Sequence, residues 1–447
     1  MAVLSRWRFK IRPLDLPDSR KLKILVISPS APLPIGPTIR LDYAVRALAR
    51  DHEVDMICGD FDSIVGSMFN ASDVRKELES NGRGIRNQWI VPFSRSAAWL
   101  RMGLGWLQGT PLRIAFCGSR EFAAEFQRRI SEEKYDLVWV QFGRMEPFVR
   151  SLNIPVIIDL HDSMSLRHAS VAEMEKNPAK RFIHLLESRR EGRHEAEMIA
   201  RGYHLLVNGT ADADNLQRAG ADPSRVTVLP TPLEWEKLQN SAEDPSLEST
   251  ILFSGHMNYF PNQDAVRFFN DRILPKIFAE NPEARFCVVG AHPPKWMRDL
   301  GCDQRIRVTG FVPDLGAYIK QAKVVIVPLR CGAGISMKIL QALALRRAVV
   351  ATSHGARGLA VEHGKHLMIA DQPDDFAQKV NALLKNGAAR TRLGNEGSAF
   401  VRSHYSPDAV FHGLEDLVTR IAQEKTSIPN QMDQRGRRSS GVQPLAR

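Results

Sequence analysis

The stretch that decides the fold is Val324-Val-Ile-Val-Pro-Leu-Arg-Cys-Gly-Ala-Gly-Ile-Ser-Met-Lys-Ile-Leu-Gln-Ala-Leu-Ala344. Its short apolar, β-branched start predicts a buried strand, and the periodic run from Ile335 predicts a helix. Pro328 and two glycines join them, and glycine lets the backbone approach a ligand closely. The stretch therefore predicts a strand–loop–helix unit whose helix N-terminus can bind a phosphate through its amide groups.

Side chains around this turn favour the same ligand. Lys338 lies in the first helical turn and adds a positive charge for a phosphate, and Arg330 precedes the loop. Gln341 follows three residues after Lys338, where its amide can hydrogen-bond a ribose hydroxyl. Together these residues predict a pyrophosphate site.

The same alternation of strands and helices extends outward from this unit. It is typical of parallel sheets covered by helices on both faces. A polar segment, 234–249, separates two such halves, so we expect two doubly wound α/β domains facing each other across a cleft. The predicted strands are 22–28, 54–58, 136–140, 155–159, 204–207 and 226–229, then 250–254, 285–289, 306–308, 323–327, 348–351 and 366–369.

Composition excludes several classes of protein. The 447 residues are 43% hydrophobic and 25% charged, which is ordinary for a globular chain and unlike a disordered, collagenous or disulfide-stapled one. No apolar run reaches the roughly 18 residues of a membrane span, and the start lacks the apolar centre of a signal peptide. The five cysteines are scattered without metal-ligand spacing, so no metal site is expected. These features predict a cytoplasmic protein.

The net charge of +11 is concentrated at the two ends. Residues 1–23 carry seven Lys or Arg against two Asp, and residues 425–447 carry five against one. A nucleic-acid-binding protein would hold such charge on its folded body, so no nucleic-acid partner is expected. Basic arms favour loose attachment to an anionic membrane, although solvated tails without a partner explain the same pattern.

Two further loops follow predicted strands. The loop from Ser28 to Arg40 ends at a helix N-terminus but matches neither a dinucleotide nor a Walker phosphate fingerprint, so a stiff connection explains it equally well. His161 follows another strand between Asp159 and Asp162, which makes it a candidate site residue, with a structural histidine as the alternative.

The segment Ala97 to Gln108 is apolar except for one arginine. It predicts either a helix lying in a membrane interface or a helix buried against the sheet.

Several motifs resemble family 4 glycosyltransferases, the group 1 glycosyltransferases, nearest to their exopolysaccharide and lipopolysaccharide sugar transferases. The resemblance covers roughly residues 21–424 and is more specific in the second half. It rests on 253–269, 284–290, 308–314, 331–344, 347–353 and 404–410, and more loosely on 32–36 with Arg40 and on 159–162.

The resemblance implies the GT-B fold: two Rossmann-like domains facing across a cleft, with a C-terminal helix. It implies an acceptor-side domain (21–232), a nucleotide-sugar donor domain (250–405) and a closing helix (406–424). Charge and composition add a basic arm (1–20), a linker (233–249) and a disordered basic tail (425–447).

The resemblance also implies a retaining, metal-independent transfer of sugar from a nucleotide sugar to a glycan acceptor, with no cofactor. The apolar segment 97–108 and the basic arms add the expectation of a lipid-linked acceptor and of peripheral contact to the membrane. His161 would contact the transferred sugar, and Lys338 with Arg330 would stabilise the departing diphosphate. The implied donor-binding residues are Gly36, Gly255, Phe311, Val312, Gly334, Ile335, Ser336 and Gln341.

Two positions depart from the family pattern. Ala333 and Gln341 stand where the family's Glu-x7-Glu motif has its glutamates. Loss of the second glutamate's charge would weaken donor binding by about 1–2 kcal/mol. A catalytically silent relative that acts as a binding or partner subunit is therefore the alternative. An epimerase-like enzyme would need acidic residues in the cleft that the sequence alone does not place, and the missing glycine fingerprint disfavours an oxidoreductase.

Overall fold

Two parallel β-sheets organise the computed structural model, which describes residues 21–32, 38–60, 84–235, 238, 240–241 and 249–424. The basic arm, the tail and Gly36 lie outside these residues. Every strand pair among the described residues is parallel. The central strands of each sheet are almost fully buried apolar runs, as a sheet covered on both faces requires.

The first sheet has seven strands in the order β3-β2-β1-β4-β5-β6-β7. The chain reverses direction of winding between β1 and β4, which makes their carboxyl ends a place where ligands bind in such folds. Its edge strand, β3, was missed from the sequence because its polar residues hide the apolar run. The strands are β1 Lys23–Ser28, β2 Glu53–Gly59, β3 Ile85–Val91, β4 Leu137–Gln141, β5 Val156–His161, β6 His204–Val207 and β7 Val226–Val228.

The second sheet has six strands in the order β10-β9-β8-β11-β12-β13. Here the winding reverses between β8 and β11, so the loops after these two strands meet at the switch point. The strands are β8 Ser249–Ser254, β9 Phe286–Val289, β10 Ile306–Val308, β11 Ala322–Val327, β12 Ala348–Ala351 and β13 Met368–Ile369.

Helices cover the faces of the first sheet, beginning with α1, whose apolar stripe packs under β1 and β2. They are α1 Ile39–Asp51, α2 Arg95–Leu107, α3 Leu112–Cys117, α4 Arg120–Glu132, α5 Met164–Met174, α6 Pro178–Ala200 and α7 Thr210–Arg218, with 3-10 turns at Gly143–Val149 and Pro223–Arg225.

The second sheet is covered in the same way. A π-helical turn, Phe269–Ile273, separates its first two helices. The helices are α8 Phe260–Phe268, α9 Leu274–Glu280, α10 Lys295–Arg298, α11 Leu315–Gln321, α12 Met337–Ala344, α13 Pro373–Lys385, α14 Gly387–Tyr405, α15 Pro407–Phe411 and α16 Leu414–Gln423, with a 3-10 turn at Asp299–Cys302.

The end of the chain returns to the first sheet. The closing helix expected over 406–424 is two helices, because Gly413 adopts a left-handed φ of 82° between them. Leu414, Leu417 and Ile421 join the core formed by β1, β2 and α1. We call the part of the chain built around the first sheet the first unit and the part built around the second sheet the second unit. The carboxyl terminus of the described chain therefore leaves the second unit and packs on the first.

The apolar segment at 97–108 forms most of α2, and the expectation that it is buried is wrong. Trp99 is 65% exposed and Leu107 is 82% exposed, with Leu100 and Leu104 also exposed. Only Ala98 and Gly105 of this helix are buried. Within the described residues, no helix combines the length and apolar character needed to cross a bilayer.

Candidate active site

A cavity of about 300 Å³ lies at the switch point of the second sheet. The loop after β8 forms one wall through Gly255, and the loop after β11 forms the other through Gly334. All of the residues that line it belong to the second unit. Six sequence-predicted residues lie together in this lining: Gly255, Gly334, Ile335, Ser336, Lys338 and Gln341.

Lys338 supplies the positive charge of this cavity. It lies in the first turn of α12, and its Nζ donates a hydrogen bond to Asn262 Oδ1 at 3.1 Å. Its ammonium group also lies 5.5 Å from the ring centroid of Phe253. Burial lowers the pKa of Lys338 to about 8, because a low-dielectric environment disfavours the charged form. An anion in the cavity would restore that charge.

The N-terminus of α12 adds donors beside the lysine. Ser336 is the N-cap residue, yet its hydroxyl makes no capping hydrogen bond. Its Oγ is buried and has no partner among the described residues. The first amides of an α-helix also lack intrahelical acceptors and attract anions. Together with Lys338, these groups form a set of unsatisfied donors suited to phosphate oxygens.

Gly255 holds the lysine's partner in place. A Cβ atom at this position would lie 2.7 Å from Asn262 Nδ2, which donates to the His256 carbonyl at 2.9 Å. Any larger residue at 255 would therefore displace the amide that accepts from Lys338.

Three other predicted donor-side residues lie outside the lining of this cavity. Arg330 makes a bidentate ion pair with Asp264, at 2.9 and 2.5 Å, and stacks on Phe268. Phe311 is 63% exposed, and Val312 packs against the second core. Both belong to the loop before α11, whose Leu315 does line the cavity.

His161 ends β5 on the opposite side of the cleft. It has a left-handed φ of 71°, rare for a residue with a side chain. Its ring packs edge-on against Phe142, and its Nδ1 is buried without a partner among the described residues. Burial, reinforced by the charge of Arg40, lowers the pKa of His161 to about 3. The imidazole is therefore neutral at neutral pH and suited to hydrogen-bonding a hydroxyl group.

A buried polar network fixes this strand end. Arg40 forms a bidentate ion pair with Asp159, and both side chains are fully buried. Arg40 also donates to Asn208 Oδ1 at 2.7 Å. Asn208 in turn donates to Asp162 at 3.0 Å, and Asp159 accepts from the His161 backbone amide at 3.1 Å. The network therefore positions both His161 and Asp162.

The two units meet across the cleft at residues 328–336, the loop between β11 and α12, which we call the glycine loop. The Gly332 amide donates to Ser170 Oγ at 3.0 Å. Arg167 of α5 stacks on Tyr259, 4.9 Å from its ring centroid, and Tyr259 lines the cavity. The cavity of the second unit is thus brought against residues of the first.

Sequence reasoning missed several of these partners. Asn262 and Tyr259 lie in the motif 253–269 but were not predicted as site residues, and Asn208 belongs to none of the motifs. Only the fold brings these three residues to the cleft. Among the described residues, no group of three or more His, Cys, Asp or Glu side chains could hold a metal ion. All five cysteines are free thiols.

Facing parallel sheets, with a polar cavity at the switch point of one, define a two-domain α/β protein with a ligand-sized cavity in its cleft. The first unit matches the family model described as the glycosyl transferase 4-like domain over residues 36–232, and the second matches glycosyl transferases group 1 over residues 248–386. The chain belongs to the group 1 glycosyltransferases, and its fold is GT-B.

Known proteins with the same architecture are distant in sequence. An uncharacterized 44.6 kDa protein in the cps region of Klebsiella pneumoniae is 20% identical over 414 residues, covering 88% of this chain and 98% of that protein. The crystal structure of Anabaena HepE with UDP-glucose matches with a TM-score of 0.62 and 13% identity, over 89% of this chain and all of that one. WaaG, a glycosyltransferase involved in lipopolysaccharide biosynthesis, matches with a TM-score of 0.54 and 13% identity, over 90% and 100%.

Proposed function

We propose that this protein transfers a sugar from a nucleotide sugar to a glycan or lipid-linked acceptor in the synthesis of a surface polysaccharide, with retention of configuration and without a metal. The observation that carries the proposal is the set of unsatisfied donors around Lys338 and Ser336, in a cavity of about 300 Å³. The likeness to HepE, solved with UDP-glucose, supports a nucleotide sugar as the ligand.

The proposed chemistry is electrostatic. When the bond between the anomeric carbon and the diphosphate breaks, negative charge develops on the leaving oxygen. Lys338 and the amides of α12 stabilise that charge in a site shielded from water. Since these groups supply the positive charge, the proposal requires no metal ion, and Arg330 remains a predicted second cation.

Retention requires the acceptor hydroxyl to approach the face that the diphosphate leaves. The leaving phosphate takes the proton of that hydroxyl, and the neutral imidazole of His161 holds the transferred sugar by hydrogen bonding. Its low pKa keeps it from donating a proton as an imidazolium at neutral pH. In the same unit, burial and the charge of nearby Asp162 raise the pKa of Asp212 to about 7.

The exposed face of α2 supports peripheral attachment to a membrane. Trp99, Leu100 and Leu107 are exposed, and Arg101 is the charged residue among them. An apolar helix face with basic neighbours suits the interface of an anionic bilayer. Sedimentation with anionic vesicles at low salt, and release by added salt, is the expected result. Absence of sedimentation at low salt would remove this part of the proposal, as would equal sedimentation of a Trp99→Ser, Leu107→Ser variant.

The alternative is a silent relative that binds a partner. Gln341 favours this alternative. It lines the cavity at the position where the family's glutamate would hold the ribose, and it lacks the charge of that glutamate. Release of nucleotide from a sugar donor, measured with membrane extract as acceptor source, separates the two functions. Release that depends on Lys338 supports the transferase. Binding of nucleotide without any release supports the silent relative.

A further inference from the structure

Three arginines of the first unit converge beside the cleft. Arg113 is on α3, Arg144 is in the 3-10 turn after β4, and Arg167 is on α5. We refer to these three residues as the arginine cluster. Burial, together with the charges of Arg144 and Arg167, lowers the pKa of Arg113 to about 10.

Two members of the cluster lack a carboxylate partner. Within the part of the chain that the structure describes, Arg113 donates a hydrogen bond to the Met164 sulfur, a weak acceptor, and makes no ion pair within 4.0 Å. Arg167 stacks on Tyr259 and likewise has no ion pair there. Both side chains are half-buried. A guanidinium held partly out of water without an anion suits a negatively charged ligand.

The nearby acids do not fill that role. Glu195 accepts hydrogen bonds from both Ser163 and Ser165, which occupy its oxygens. Burial raises the pKa of Glu191 to about 7, so this carboxyl is partly protonated at neutral pH. Within the described residues, neither carboxyl forms an ion pair with Arg113 or Arg167.

The cluster lies on the acceptor side of the cleft. Arg113 and Arg144 line a cavity of about 20 Å³ together with Asp162, which contacts the glycine loop of the second unit. Arg167 reaches Tyr259 at the edge of the larger cavity. The smaller cavity has room for one water-sized group, so a larger anion would shift the arginine heads, which their long stems permit.

We propose that the arginine cluster binds an oxyanion, a phosphate or carboxylate, carried by the acceptor close to the hydroxyl that receives the sugar. The planar fork of arginine matches both groups through paired hydrogen bonds. The residues that line the larger cavity all come from the second unit, so an anion held by the first unit belongs to the molecule opposite the donor. The inference rests on the proposed function.

The test uses the full-length protein saturated with whichever nucleoside diphosphate stabilises it, so that the larger cavity is filled. Glucose 6-phosphate, glucuronate and glucose are then titrated as probes, and binding is measured by calorimetry. We expect one or both charged sugars to bind at least about tenfold more tightly than glucose. The two charged probes distinguish phosphate from carboxylate.

Arg113→Gln and Arg167→Gln should reduce that preference to less than about threefold, since each removes a charged donor. The matched control is Arg267→Gln, because Arg267 also stacks on an aromatic ring, Trp296, but in the second unit. Arg167 is only half-buried, so Arg167→Gln keeps the test valid if Arg113→Gln folds poorly. Melting curves and nucleotide affinity are measured for each variant beside the sugar titrations.

Equal binding of glucose and the charged sugars, or binding of none, would overturn the inference. So would a preference that survives in both variants. Failure of the proposed function is seen separately, as the absence of nucleotide binding in the first titration, in which case the sugars are titrated without nucleotide.

Discussion

Asp162 of the first unit lies directly against Gly334 of the second. Gly334 has a left-handed φ of 76°, and a Cβ atom added there would collide with the Asp162 carboxylate. The same carboxylate accepts from Asn208, which is tied to the buried Arg40–Asp159 pair. The glycine loop that forms the donor cavity is therefore seated on the strand end that carries His161.

Gly334→Ala should hold the two units apart. Because alanine disfavours a left-handed backbone, the variant should lose about 1–2 kcal/mol in free energy of unfolding. The collision with Asp162 should also lower the activity about tenfold or more. Nucleotide release and thermal unfolding measure the two effects. The control is Gly364→Ala, at a φ of 77° with nothing within 4 Å of the added Cβ. It should lose similar stability and keep its activity; equal activity in the two variants would contradict the role of this contact.

Lys338→Met should weaken nucleotide binding about 10- to 100-fold, because a charge-assisted hydrogen bond contributes about 1.5–3 kcal/mol. Isothermal titration measures the change. Lys385→Met is the control, because Lys385 pairs with Glu280 at the exposed surface. If the two variants bind nucleotide alike, Lys338 does not contact the diphosphate.

Nucleotide affinity should fall as the pH rises through about 8. Lys338 has a lowered pKa of about 8, so it is charged below that pH and loses its charge above it. The diphosphate binds the charged form, so affinity is steady below pH 8 and falls by up to about tenfold per pH unit above it. Lys338→Arg keeps its charge and should flatten the profile. A wild-type profile without a fall up to about pH 9.5 would refute the assignment.

Gln341→Glu should tighten nucleotide binding about 5- to 30-fold, since a carboxylate makes stronger hydrogen bonds to ribose hydroxyls than an amide. Gln378→Glu adds the same charge on the exposed face of α13 and should have no effect. No gain from Gln341→Glu would place the ribose elsewhere.

Arg40→Met should destabilise the fold by about 3–5 kcal/mol, because it leaves the buried Asp159 carboxylate without a partner. Thermal and denaturant unfolding measure the loss. Adding Asp159→Leu should recover part of it, and Lys276→Met, which breaks an exposed pair with Asp374, should cost little. A loss no larger than that of Lys276→Met would show that the buried network is not structural.

The alternation of apolar strands and helices was enough to predict both sheets, because parallel strands buried on two faces leave an unmistakable pattern. It failed at Ile85–Val91, an edge strand with polar residues, and at 406–424, where Gly413 divides the helix. The glycine loop and Lys338 could be predicted because they lie in one continuous stretch of sequence. Asn262 and Asn208 could not, since their role depends on contacts between distant segments.

The central claim is a nucleotide-sugar site built around Lys338, and thermal stabilisation by UDP, GDP, ADP and their sugar conjugates tests it most directly. A ligand at 100 times its dissociation constant should add about 2.7 kcal/mol. We predict a selective rise in Tm with one nucleotide, which Lys338→Met reduces by about half or more at the same nucleotide concentration. No rise with any nucleotide at millimolar concentration, or the same rise in the variant, would contradict the claim.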